Sequence, residues 1–63
     1  MCQSTVYARR GSAAEELLLD EVARIVVADG EVSMTTLFGE PLTVTGRVCE
    51  IDLMKHRVVL QCE

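Results

Sequence analysis

The sequence predicts an all-β domain: a small barrel or sandwich of about five to six short strands, with residues 1–63 forming a single unit. Three observations carry this reading. Short runs alternate apolar and polar residues, as in Glu31-Val32-Ser33-Met34-Thr35. Turn signals at Gly11, Asp29-Gly30, Gly39-Glu40-Pro41 and Lys55-His56 cut the chain into such runs, at the roughly 8–12-residue spacing of small all-β folds. A chain of 63 residues has room for one domain and no second.

Ser4 to Ala8 is the first strand, with Val6 and Ala8 facing one way and Thr5 and Tyr7 the other. Arg10-Gly11-Ser12 is a turn. The next segment supports two readings. Ser12 followed by Glu15 fits a capping box, and Ala14, Leu17, Leu18, Val22, Ile25 and Val26 recur at helical spacing, which describes an amphipathic helix over Ala13 to Arg24. The β-branched Ile25-Val26-Val27 running into Asp29-Gly30 describes instead a hairpin strand, preceded by a strand Glu15 to Leu19 and a corner at Asp20-Glu21. Beyond Gly30, Val32 and Met34 line one face of a half-buried strand. Leu42 to Thr45 is a short strand after Pro41, which is barred from a central position. Gly46 marks a bend or bulge, Val48 to Met54 continues as a strand, and Val58 to Cys62 closes the chain.

Composition limits what the domain can be. A chain this short buries only about 60% of its unfolded surface and is commonly reinforced by disulfides, a metal or oligomerisation. Hydrophobic residues are 49% of the chain while aromatics are only 3%, Tyr7 and Phe38. A core without large rings points to apolar surface shared with a second copy. The net charge of −4 argues against nucleic acid, which needs phosphate-neutralising Lys and Arg. Cys2, Cys49 and Cys62 form no disulfide framework and no zinc-finger spacing. Polar residues from Gln3 to Arg10 interrupt any signal peptide, and no apolar run approaches the ~20 residues of a membrane span. The expected location is the reducing cytoplasm.

The chemistry-bearing stretch is Met1-Cys2-Gln3. If Met1 is removed, Cys2 carries an α-amine and a thiol on adjacent carbons, which close a five-membered chelate ring on one metal ion. If Met1 stays, its amine, the Cys2 amide nitrogen and the Cys2 sulfur offer two fused rings. The thiolate is the binding form, and sulfur with nitrogen donors in a plane suits nickel or copper better than magnesium or calcium. On residue chemistry alone the commoner role of a single cysteine, a small apolar strand residue, weighs more.

The ordered set Met1-Cys2, Asp29-Gly30-Glu31-Val32, Thr36-Leu37-Phe38-Gly39-Glu40, Val44-Thr45-Gly46-Arg47-Val48 and Glu50-Ile51-Asp52-Leu53 resembles the CooT family of small nickel-binding proteins, at one time labelled predicted RNA-binding proteins. The likeness covers nearly the whole chain and is weakest over Ser12 to Ala28. It implies an SH3-like or Sm-like barrel, a homodimer, Ni(II) bound at Cys2, and a role in supplying nickel to carbon monoxide dehydrogenase or another nickel enzyme. It thereby favours strands over a helix at Ala13 to Arg24 and reverses the weighting on Cys2. Two chains meeting at a two-fold axis would complete a four-donor plane. If they do not meet, each site recruits the Gln3 amide nitrogen, water or another side chain.

The other candidates carry less. Cys49 shares an alternating face with Ile51 and Leu53 and is expected in the core, as is Cys62 with Val58 and Leu60. His56 in Lys55-His56-Arg57 is a solvated turn residue unless the fold or a dimer brings it to Cys2. Glu15-Glu16 and Asp20-Glu21 read as a solvated acidic face. No phosphate loop, catalytic triad or acid/base pair is present, so no enzyme is expected. Two function classes follow: a nickel-binding accessory protein, or a small barrel interaction module, with RNA as one class of ligand, in which Cys2 is incidental.

Overall fold

Alternation of apolar residues and left-handed turns builds the fold. In a computed structural model, which describes residues 3–62, the chain forms five strands: β1 (Ser4–Arg10), β2 (Glu16–Ala28), β3 (Glu31–Thr36), β4 (Pro41–Asp52) and β5 (Arg57–Cys62). They close into a barrel in chain order. Neighbours β1–β2, β2–β3, β3–β4 and β4–β5 pair antiparallel, and the ring closes through a parallel pairing of β1 with β5. Among the described residues there is no helix, and none long and apolar enough to cross a membrane.

The β2–β3 hairpin turns at Asp29 and Gly30, with φ of 51° and 77°. Both central residues are left-handed, the type I′ geometry that matches strand twist and explains the Asp-Gly pair. The strands expected as Glu15 to Leu19 and Val22 to Ala28 are one continuous β2. The expected corner survives as an irregularity within it: Glu21 has φ 55°, and the register slips between Ser4↔Val22 and Val6↔Leu19. Further slips follow between Val6 and Tyr7 and between Val22 and Arg24. Each inserts an extra β2 residue and bends the strand.

β4 likewise joins two expected strands. Its first half, up to Thr45, pairs with β3, and from Gly46 onward it pairs with β5. Gly46 sits at this change of partner, and a Cβ there would lie 2.4 Å from the Gln61 carbonyl oxygen and 3.0 Å from the Cys62 Cα. Only glycine permits backbones to approach this closely.

The core lies inside the ring. Val6, Ala8, Val22, Val32, Met34, Val58, Leu60 and Cys62 form one buried cluster, with Leu18, Leu19, Ile25, Leu42, Val44 and Val48 packed against it. Each wholly buried aliphatic chain contributes about 1.5–3 kcal/mol relative to exposure. One expectation is corrected: Cys49 is exposed, not core. Val48 pairs with Leu60 and Glu50 with Val59, so Cys49 is the extra residue of a bulge. Its supposed companions Ile51 and Leu53 are 61% and 78% exposed. Strict alternation fails there because the bulge breaks the two-residue period. Cys62 is buried, as expected.

Replacing Gly46 with alanine forces backbone apart at the β4–β5 contact. Gly46→Ala is expected to lose about 1–3 kcal/mol, the usual cost of overpacking, in urea unfolding followed by circular dichroism. An unchanged midpoint would show that the contact relaxes freely.

Candidate metal centre

The amino-terminal segment leads into β1, and three elements fix where β1 starts. On one side lies the β4–β5 turn: the Thr5 amide donates to the His56 carbonyl oxygen at 2.9 Å. On the other lies the β2 corner: the Thr5 hydroxyl donates to Asp20 Oδ1 at 2.8 Å, and the same oxygen accepts the Glu21 amide at 2.8 Å. The corner is tied onward to the β3–β4 turn, where the Leu37 amide donates to the Glu21 carbonyl at 2.9 Å. That turn is itself closed by Thr36, whose Oγ1 accepts the amides of Phe38 and Glu40.

Asp20 is thus a fastener between β1 and β2, not merely part of an acidic face. The Thr5 hydroxyl, and then the Glu21 amide, hold its carboxyl below the ordinary Asp range, because both donors favour the charged form. The corner expected at Asp20-Glu21 was the signal in the sequence. Glu15 is exposed, as expected, and forms an ion pair with Arg57, whose guanidinium lies 4.9 Å from the centre of the Tyr7 ring. The Ser12–Glu15 capping box therefore caps nothing, since these residues form the loop into β2.

Of the expected metal ligands, Cys2 lies outside the described residues. Gln3 is half-buried immediately ahead of β1. His56 is exposed, and its carbonyl oxygen accepts the Thr5 amide at the start of β1. The remaining cysteines are elsewhere. Cys62 pairs with Arg10, at the far end of β1 from Gln3. Cys49 stands on the outer surface, with the Arg9 guanidinium 3.8 Å from its sulfur. Among the described residues no three His, Cys, Asp or Glu side chains gather into a metal cluster.

A ring of five strands, closed by the parallel pairing of β1 with β5, defines a small SH3-like β-barrel protein. The particular family follows from comparison. The model of the CO dehydrogenase accessory protein CooT matches residues 1–61, and the chain belongs to this CooT family. Its function is thus that of an accessory protein to an enzyme. An uncharacterised protein of Archaeoglobus fulgidus is 40% identical over 45 residues, covering 71% of this chain and all of that protein. An uncharacterised protein of Methanothermobacter thermautotrophicus is 30% identical over 63 residues, covering 100% of this chain and 92% of its own length. A crystal structure of a protein assigned as CooT from Carboxydothermus hydrogenoformans superposes with a TM-score of 0.86 at 22% identity, covering 98% of each chain. At that identity the likeness speaks for the fold alone.

Two outcomes check this geometry. In a Cys2→Ser background, Cys49 is expected to alkylate rapidly and Cys62 only on unfolding, as mass spectrometry of a thiol-labelling time course will show. Equal rates would contradict the bulge. Asp20 titrates below its unfolded value, so its stabilising contribution is present above the ordinary carboxylate range and is lost as pH falls through the folded value. Asp20→Asn keeps an acceptor oxygen but cannot titrate. Its urea midpoint should therefore fall less steeply than the wild type's below about pH 4, and parallel curves would refute the assignment.

Proposed function

We propose that this protein carries Ni(II) as cargo at Cys2, and supplies or buffers it for carbon monoxide dehydrogenase or another nickel enzyme in the cytoplasm, working as a homodimer. The observation that carries the proposal is membership of the CooT accessory family over a match beginning at residue 1, combined with the donor chemistry of Cys2. The thiolate and the α-amine left by removal of Met1 form one chelate, and Ni(II) with such donors favours four ligands in a plane. One chain fills half of that plane. A second copy, the Gln3 amide nitrogen, water or a further side chain fills the rest.

Several features support the reading. Thr5 is held on both sides by His56 and Asp20, so the N-terminal segment is presented from a fixed frame. Cys62 is sealed in the core and does not compete for metal. An open coordination shell suits transfer, because ligands on the client can enter before ligands on the carrier leave. Exposed apolar residues, including Phe38 at 73% and Met54 at 91%, give a second copy surface to cover.

The test is nickel titration of the wild type, Cys2→Ser and Cys49→Ser, read by calorimetry and thiolate-to-nickel absorption. Cys2→Ser should abolish binding and Cys49→Ser leave it intact. Wild-type affinity should fall with pH, since thiol and amine must lose protons. Nickel binding unchanged in Cys2→Ser would overturn the proposal. Sedimentation of the same samples should give twice the chain mass of 6.9 kDa, and a single-chain mass would remove the dimer from it.

A further inference from the structure

We propose that the outer face of β5 and its two neighbours, centred on Arg9, Gln61 and Arg47, is a docking surface for an acidic peptide segment of a partner protein. The inference is independent of the metal reading above.

Ring closure builds the surface. Arg9 of β1 pairs with Gln61 of β5 in the parallel ladder, and Gln61 pairs with Arg47 of β4 in the antiparallel one. Three residues distant in the chain thus form one row across three strands. Their chain neighbours Ala8, Gly46, Leu60 and Cys62 are buried, so strand alternation turns the row outward. Arg9 and Arg47 are two strand spacings apart, about 10 Å between their backbones.

The row is ordered at its centre and uncompensated in charge. Gln61 Nε2 donates to the Gly11 carbonyl oxygen at 3.1 Å, and Gln61 Oε1 accepts the Arg9 Nε at 3.0 Å. The Arg9 guanidinium is steadied further by the Cys49 sulfur, 3.8 Å from its Nη2. Arg47 is exposed. The chain carries 10 acidic residues against 6 basic ones, yet among the described residues neither guanidinium has a carboxylate partner. Arg57, by contrast, is paired with Glu15. Glu50, on the same stretch of β4, sits opposite Val59 and forms no ion pair with either arginine.

Charge and spacing select the occupant. A guanidinium fork matches a carboxylate in geometry as well as in sign. One small anion would have to draw together two arginines about 10 Å apart. An extended peptide presents alternate side chains on one face about 6.7 Å apart, so successive carboxylates meet the two arginines separately. Two arginines are few for nucleic acid, whose affinity comes from neutralising many phosphates. The net charge of −4 repels an acidic segment at long range, but beyond about 10 Å that repulsion is largely screened at 0.1 M salt. Contact at the row is then the attraction that remains, and it fixes which face of the barrel the partner meets.

The experiment titrates the full chain with a hexaglutamate peptide in 0.1 M salt, following backbone amide signals by NMR. It compares wild type, Arg47→Gln, Arg47→Lys and Arg24→Gln. Arg47 has no bonded partner among the described residues, so its replacement leaves the fold intact, which an unchanged thermal midpoint verifies. Arg24 is also exposed but lies on another wall, opposite Thr35 of β3, and is the matched control. The amides of Arg9, Arg47 and Gln61 should shift in a saturable way. Arg47→Gln should weaken binding about 2–5-fold, the effect of losing one exposed ion pair. Arg47→Lys should recover only part of this, and Arg24→Gln should bind as wild type. Absence of saturable shifts would overturn the proposal. So would equal weakening by Arg24→Gln, which would show that only overall charge is sensed. Inorganic phosphate or oligouridylate occupying the row at lower concentration than hexaglutamate would overturn the choice of an acidic peptide. Self-association lost in Arg47→Gln, read by sedimentation, would give the row to a second copy instead.

Discussion

The parallel pairing of β1 with β5 is the constraint on which the rest of this structure depends. It joins the two ends of the chain, Thr5 to Arg10 with Arg57 to Cys62, and turns a meander into a ring. A meander of this length would leave two unpaired strand edges, and closure removes them. The buried cluster follows directly, because Val6 and Ala8 from β1 meet Val58, Leu60 and Cys62 from β5 only when the ring is shut. So does the candidate site, since the same pairing sets the start of β1 beside His56.

Closing a ring with so few strands demands strong bending, and the chain concentrates it in β2 and β4. In β2 the bend is spread over several extra residues around Leu18, Asp20-Glu21 and Ala23, and Asp20 fastens it by accepting from Thr5 and Glu21 at once. In β4 a single residue without a side chain, Gly46, allows the strand to leave β3 and press against β5. The bulge at Cys49 then re-aims the remainder of β4. These local departures from regular strand geometry are what a small barrel is made of, and the one at Asp20-Glu21 borders the start of β1.

For an accessory protein this arrangement has a functional logic. The barrel contributes no enclosed pocket among its described residues. What it contributes is a rigid base for a short N-terminal segment, anchored through Thr5 on both flanks. The fold and the proposed chemistry therefore divide the work: the core supplies stability, and the turn residues supply position.

Much of this was legible in the sequence. Asp29-Gly30 announced a hairpin, which the structure shows with both positions left-handed, and Gly46 announced a bend or bulge, where the structure shows a close approach to β5. Val32 and Met34 alternate with polar residues, so their burial could be read directly, whereas in β5 Val59 is buried along with its neighbours Val58 and Leu60. Where the reading was ambiguous or wrong, bulges were responsible. Leu19, Val22 and Ile25 all reach the core, each three residues after the last, because extra residues in β2 shift the two-residue period. That spacing imitates a helix, which is why Ala13 to Arg24 supported both readings. The extra residue at Cys49 likewise turned an expected core cysteine outward. The sequence by itself determined the strand-forming runs, the turns and the donor chemistry of Cys2, since these rest on local backbone preference and side-chain identity. Only the tertiary structure decided where strands bulge, that Asp20 ties β1 to β2, and that His56 stands beside the start of β1. Each of these depends on contacts between residues far apart in the chain, which no local pattern encodes.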